Sequence, residues 1–301
     1  METAQFDPIA GKVDTLTPNV RRILAPNPSP MTYRGTNTYL VGQGSLAIID
    51  PGPLDDAHLA AILDAVGENS VSHIIVTHSH LDHSPLARPL SDITKAPVLA
   101  FGDSATGRSA VMQRLATNGL AGGGEGVDTS FMPDVIVADG TSITGKDWNI
   151  EVIHTPGHMG NHIALALGDI IFTGDLVMGW ASSLVSPPDG DLDDFLESCR
   201  TLHVRKPKIL YPAHGAPITD PVARIEWLIA HRNARTDEIL THLKAGPKTA
   251  ATLAEAIYQD APKGLLAAAT RNVFAHLISL HEAGKIRAAP NLQSDAVFTL
   301  I

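Results

Sequence analysis

The chain has 301 residues, 44% of them hydrophobic and 18% charged, which is the composition of an ordinary folded protein with a sizeable core. A formal net charge of -10 excludes a generally basic nucleic-acid-binding surface, although it is compatible with a local basic groove. The single cysteine, Cys199, excludes an internal disulfide and a thiolate-rich metal site, and the sequence shows neither a leader-like N-terminus nor a long apolar run, so a soluble, cytoplasmic protein with no membrane partner is expected.

In chain order, "NTYLVGQGSLAIIDPG" (37–52) reads as strand, glycine-containing turn, strand and a tight turn at Pro51-Gly52. A helix follows in "LDDAHLAAILDAVG", with Leu59, Ile62, Leu63 and Val66 as its apolar stripe. "SHIIVTH" is a short β-branched run expected as a buried strand. Further strands are predicted in "APVLAF", "WNIEVIHTPG", "HIALALG", "DIIFTGD" and "KILYPAHG", and a helix in "GDLDDFLESCRTLHV" with Asp191 as its N-cap. Many short strands with helices between them predict two packed sheets covered by helices, an α/β (α+β) architecture. From about Pro221 the pattern turns helical, through "PVARIEWLIAHRNARTDEILTHL", "TAATLAEAIY" and "LLAAATRNVFAHLISLHEAGKI", and ends in two short strands. Helices followed by a β-hairpin resemble a winged-helix module. The expected division is therefore 1–235 for the first domain and 236–301 for the module. The glycines in "GGGEG" (122–126) lack a following Gly-Lys-Ser/Thr and read as a loop rather than a phosphate cradle.

The chemistry concentrates in "VTHSHLDHSP" (76–85), where His78, His80, Asp82 and His83 crowd into six positions. Buried without partners such groups are costly, whereas neutral imidazoles and a carboxylate around a cation are good ligands. On an extended segment alternate side chains point the same way, so His78 and His80 can share one ion while Asp82 and His83 face another. Three more signals lie at strand ends: His158 after a Pro-Gly turn, Asp175 after "IIFTG" and His214 after "ILYPA". Each alone has a bland reading, a capping aspartate or a satisfied histidine; the series in this order does not.

H-x-H-x-D-H, Pro-Gly-His, Thr-Gly-Asp and Ala-His-Gly together resemble the motif series of the metallo-β-lactamase-fold hydrolases. The resemblance implies an αββα sandwich, one metal held by His78, His80 and His158, a second held by Asp82, His83 and His214, and Asp175 bridging both. It further implies a dinuclear hydrolase. Two divalent ions would share a hydroxide of lowered pKa that attacks an ester, thioester, lactone or similar bond. Asp82 is then the candidate catalytic residue as well as a ligand. Two Zn2+ suit imidazole and carboxylate best, with iron or manganese compatible with the same set.

Within that superfamily, the helical tail and "NPSPMTYRGTNTYLVG" resemble the β-lactamase-like protein 2 group, which includes a single-strand-directed endoribonuclease. Ser84-Pro85 replace the two glycines with which many relatives continue the first motif, so the next helix is expected to start differently. A metal-dependent ribonuclease on single-stranded RNA is one alternative; a non-catalytic, metal-stabilised nucleic-acid-binding regulator is another. Against both, residues 236–301 carry six Lys or Arg (Lys244, Lys248, Lys263, Arg271, Lys285, Arg287) and six acids (Asp237, Glu238, Glu255, Asp260, Glu282, Asp295), a net of zero. The favoured partner is thus a small-molecule substrate, with the tail as a wall of the site or a homo-oligomer contact. Trp180 and Ser182, in the segment after Asp175, are substrate-contact candidates, as is Tyr33; His162, four after His158, is expected to hydrogen-bond either a ligand or the substrate, or simply to pack. Thr36 and Asn37 fit either the entrance or plain turn chemistry, and Ser79 and Leu81 are expected to serve packing and loop hydrogen bonds.

Overall fold

The computed structural model describes residues 6–122, 126–259 and 262–301. Of the glycine tract read as a loop, residues 123–125 lie outside the described residues.

Sheet one contains β1 (Val13–Thr17), β2 (Val20–Leu24), β3 (Asn37–Val41), β4 (Ser45–Ile49), β5 (Ser70–Ile75), β6 (Val98–Ala100) and β7 (Val135–Ile136), side by side in chain order. Pairing is antiparallel up to β4 and parallel from β4 to β7, with α1 (Asp56–Val66) and α2 (Ala87–Thr94) in the crossovers. Asp55 caps α1 by accepting from the His58 amide at 2.7 Å. Helix α2 starts at Ala87 behind Leu86, with no side-chain cap. Helix α3 (Ala110–Thr117) lies between β6 and β7 in sequence.

Sheet two has the order β12-β11-β10-β9-β8, formed by β8 (Ser142–Thr144), β9 (Asn149–His154), β10 (Ile163–Leu167), β11 (Ile170–Gly174) and β12 (Ile209–Pro212). The crossover from β11 to its parallel neighbour β12 contains α4 (Leu192–Arg205), capped by Asp191, whose carboxylate accepts from the Asp193 amide at 2.8 Å.

Three apolar layers show how these pieces stack. Val41, Ile49, Ile75, Val152, Leu165 and Phe172 fill the space between the sheets. Ile62 and Val66 of α1 and Leu90 of α2 cover sheet one from outside. Phe195 and Cys199 of α4, with Ile225 and Leu228 of α5 (Pro221–Lys244), cover sheet two. The expected αββα sandwich is present.

Helix α5 runs unbroken across position 235. Its first half belongs to the core beneath sheet two, and Ile239 and Leu243 in its second half belong to a separate core. That core also holds α6 (Ala250–Ile257), α7 (Leu266–Glu282), the antiparallel pair β13 (Ile286–Ala289) and β14 (Val297–Leu300), and Met112 and Leu115 of α3. A capping box at Thr249 and Thr252 starts α6, and Gly284, with φ +67, follows the end of α7. No helix among the described residues is long and apolar enough to cross a membrane.

Candidate metal centre and its cavity

The first histidine motif leaves β5 at its C-terminal end, and the other candidate ligands leave β9, β11 and β12 at theirs, so all seven meet along one rim of the sandwich. One ligand atom each from His78, His80, His158 and Asp175 lies within 4.8 Å of the others, and the same holds for Asp82, His83 and His214. His80 Nδ1 stands 3.0 Å from His78 Nε2 and 3.1 Å from His158 Nε2. Asp175 reaches both groups, with Oδ2 at 3.6 Å from His158 Nε2 and Oδ1 at 3.3 Å from His214 Nε2. Asp82 Oδ2 lies 3.2 Å from His214 Nε2 and 3.4 Å from His83 Nε2.

Surrounding groups decide which ring nitrogens face inward. His158 Nδ1 donates to the Leu184 carbonyl at 2.7 Å, His214 Nδ1 to the Gly35 carbonyl at 3.1 Å, and His83 Nδ1 to Asp50 Oδ2 at 3.0 Å. Thr77 gives its hydroxyl proton to Asp50, so it accepts from His78 Nδ1 at 3.0 Å. In neutral rings the opposite nitrogens then carry lone pairs aimed at one another and at two carboxylates. His83 Nε2, His214 Nε2 and Asp175 Oδ1 are buried with no hydrogen-bond partner. Such a convergence of lone pairs is repulsive unless a cation sits within it, so the donor set fits divalent metal ions.

The protonation tendencies agree. Burial, then the neighbouring histidines, drive His78 well below its ordinary value and His80 to about 3, so both rings stay neutral. Burial also opposes charge on His214 and His83, yet the carboxylates beside them outweigh it, raising His214 to about 10 and His83 well above the usual range. Burial would raise Asp82 and Asp175, but the adjacent imidazoles hold both carboxyls well below the ordinary carboxylate range. The lobe formed by Asp82, His83, His214 and Asp175 therefore demands positive charge.

Two glycines explain the motif spelling. Gly157, at φ +133, precedes His158 so closely packed on α4 that a Cβ would meet the Phe195 backbone at 2.3 Å. Gly174, at φ +48, precedes Asp175, and a Cβ there would stand 2.5 Å from His162 Nε2.

The ligands open into a cavity of about 720 Å³, within the usual range for small-molecule sites. Its lining includes Trp180 and Ser182, in keeping with their expected placement. Leu81 also lines it and is half exposed, so its side chain is not the packing group expected, while its amide makes the expected loop hydrogen bond, to the Gly126 carbonyl at 2.7 Å. Of the two roles expected of His162, the hydrogen bond to a candidate ligand is present and the substrate contact is corrected: the ring is fully buried away from the cavity, donating from Nδ1 to the Thr155 hydroxyl at 2.9 Å and accepting the Asp175 amide on Nε2 at 3.2 Å. With both nitrogens engaged it positions Asp175 and cannot meet a substrate. Tyr33 is likewise outside the lining; it stacks on Trp180 with ring centroids 5.1 Å apart. Thr36 and Asn37 are fully buried, and Asn37 donates to the carbonyls of Pro212 at 2.9 Å and Gly215 at 3.0 Å, bracketing His214.

Sequence reasoning missed Asp50 and Asn161. Asp50 accepts from the Thr77 amide and hydroxyl, both at 2.7 Å, and from His83. Its only signal was an aspartate closing a strand before Pro51-Gly52. Asn161 donates to the Ser79 hydroxyl at 2.9 Å and steadies the loop between His78 and His80.

A family model described as "Metallo-beta-lactamase superfamily" matches residues 31–214, and one described as "Beta-lactamase associated winged helix domain" matches residues 249–291. The chain is 32% identical to "Beta-lactamase-like protein 2 homolog" of Drosophila melanogaster over 94% of both chains. It is 29% identical to "Atrochrysone carboxyl ACP thioesterase" of Aspergillus fumigatus over 86% of this chain and 79% of that one. Among solved structures, a beta-lactamase domain protein from Burkholderia ambifaria superposes with a TM-score of 0.79 at 24% identity, covering 99% of this chain and 96% of the other.

Proposed function

The chain belongs to the metallo-beta-lactamase superfamily, and from that premise we propose that it is a dinuclear zinc hydrolase of small-molecule ester, thioester or lactone bonds. The observation that carries this reading is the convergence of buried, unpartnered ligand atoms at the base of a cavity large enough for a small molecule. His78, His80 and His158 would hold one ion, Asp82, His83 and His214 the other, and Asp175 both. When bound, the ions supply an activated water and polarise the carbonyl under attack.

The protein's own groups supply the rest. Both Asp82 and Asp175 line the cavity, and Asp82, with a quarter of its side chain exposed against a tenth for Asp175, is the more open of the two toward substrate. We assign it the orientation of the attacking water and the passage of its proton toward the leaving group. The carbonyls of Leu184 and Gly35 and the carboxylate of Asp50 fix the imidazoles in the ligand tautomer. Residues 1–235 carry this machinery in our reading, and 236–301 form the module that closes the cavity. The Aspergillus thioesterase supports thioesters within the substrate class. Among the described lining residues there is no lysine or arginine, which favours a small molecule over single-stranded RNA, whose phosphates need cations.

The test is elemental analysis of protein grown with zinc, joined to hydrolysis assays on thioester, ester, lactone and RNA substrates. Close to two zinc ions per chain and turnover of a small acyl compound are expected. In His80→Ala that turnover should fall at least a hundredfold, with loss of bound metal. Cleavage of RNA alone, or less than one metal per chain, would overturn the reading.

A further inference from the structure

The cavity is not closed by the sandwich alone. Tyr258, Leu265, Ala268 and Asn272, all from the C-terminal module, line it together with the ligands His80, Asp82 and His158. Leu265, Ala268 and Asn272 are three and four residues apart, which places them on one face at the start of α7. Opposite groups in the same cavity include Met178, Trp180 and Leu184, so the space beyond the ligands is walled mainly by apolar side chains. Ala267 and Ala269 also line the cavity, and Ala268, half-buried, stands between Leu265 and Asn272 on this face.

This wall is rigidly supported. Asn272 Oδ1 accepts from Arg232 Nη1 at 2.8 Å and from the Val185 amide at 3.3 Å, while its Nδ2 donates to the Tyr258 hydroxyl at 3.4 Å. The Arg235 guanidinium lies 4.4 Å from the centre of the Tyr258 ring. A preformed, mainly apolar surface on which the polar atoms of Asn272 are already engaged offers little to a small or charged acyl group and much to a large uncharged one.

We propose that the Leu265–Ala268–Asn272 face of α7 selects the acyl group of the substrate, accepting a bulky, uncharged acyl chain of medium length or aromatic character in preference to acetyl or succinyl. The inference rests on the hydrolytic reading for its biological sense, but the binding it claims is measurable without turnover. The probes are acetyl, succinyl, octanoyl and benzoyl ketone analogues of N-acetylcysteamine thioesters, in which a methylene replaces the sulfur and nothing can be cleaved. Their affinity for the metal-loaded full chain is measured calorimetrically beside hydrolysis of the corresponding thioesters.

The octanoyl and benzoyl analogues should bind at least tenfold tighter than the acetyl and succinyl ones. In Ala268→Leu, shown by its melting curve to be folded, the octanoyl-to-acetyl affinity ratio should fall at least tenfold. Equal binding of all four analogues to the native chain, or an unchanged ratio in folded Ala268→Leu, would overturn the proposal even if every thioester is cleaved. Discriminating binding with no cleavage would instead leave the wall standing and remove the hydrolytic reading.

Discussion

Asp50 shows how much a single unremarked carboxylate governs. It sits at φ +48 at the end of β4, fully enclosed, and ties the strand that begins the first motif to the ring of His83. Removing it leaves His83 free to rotate or to change tautomer, so Asp50→Ala should weaken metal binding about 10- to 100-fold, read by competition with a chelating dye. The convergence of the seven candidate ligands was legible because their spacing is chemical: four groups in six positions and three more at strand ends. Asp50 was not, since an aspartate before Pro-Gly reads equally as a turn residue. His162 was legible only as a choice between a ligand and a substrate contact, and its inward-turned ring, which accepts the Asp175 amide, takes the first. Acid should also test the buried, non-ligand His58. Its folded value is lowered to about 4, chiefly by burial, so below 6.5 only the unfolded chain takes up the proton. Stability is therefore lost as pH falls from 6.5 to 4, by up to roughly 3 kcal/mol at this site. His58→Gln should flatten the dependence of melting temperature on pH in that window.

Helices and connecting segments were easier to find than their duties. Asp191, Asp220 and Thr249 all cap helices by accepting the amides that begin them, as side-chain chemistry foretells. In α4 the acidic start has a drawback. Burial, then the charges of Asp191 and Asp193, raise Asp194 to about 6, so the folded state binds its proton more tightly than the unfolded one. The stability this proton confers is complete below 3.8 and lost as pH rises through 6. Asp194→Asn should accordingly stabilise the protein at pH 7, by about 1 kcal/mol after allowing for partial exposure, and have little effect at pH 4. Segment 181–187 carried no periodicity and was legible only as chain passing near the site. Its conformation comes from distant arginines: Arg224 donates to the carbonyls of Met178 at 2.7 Å and Ala181 at 2.6 Å, and Arg232 to that of Ser183. Local sequence cannot reveal partners more than 40 residues away. Because the next carbonyl, Leu184, orients His158, Arg232→Ala should lower metal affinity as well as melting temperature, by about 2–4 kcal/mol in stability.

For the molecule as a whole, the sandwich was legible from strands 37–49 and 70–75 and from β9 to β12, whose apolar runs are dense. The strands β1 and β2 escaped notice because "VDTLT" and "VRRIL" mix charge into short segments that pair at one side of sheet one. The module was legible as helices and a hairpin, but not its role as a wall, since that depends on tertiary placement. Helix α5 gives this arrangement a further meaning. A cut at residue 235 would split one helix and strip Met112 and Leu115 of α3 of their cover, so the shortened chain would present raw apolar surface and clump. The C-terminal part cannot be lent to another enzyme as a cassette. New substrate preferences in such proteins should arise by point changes along the shared wall, not by exchanging whole pieces.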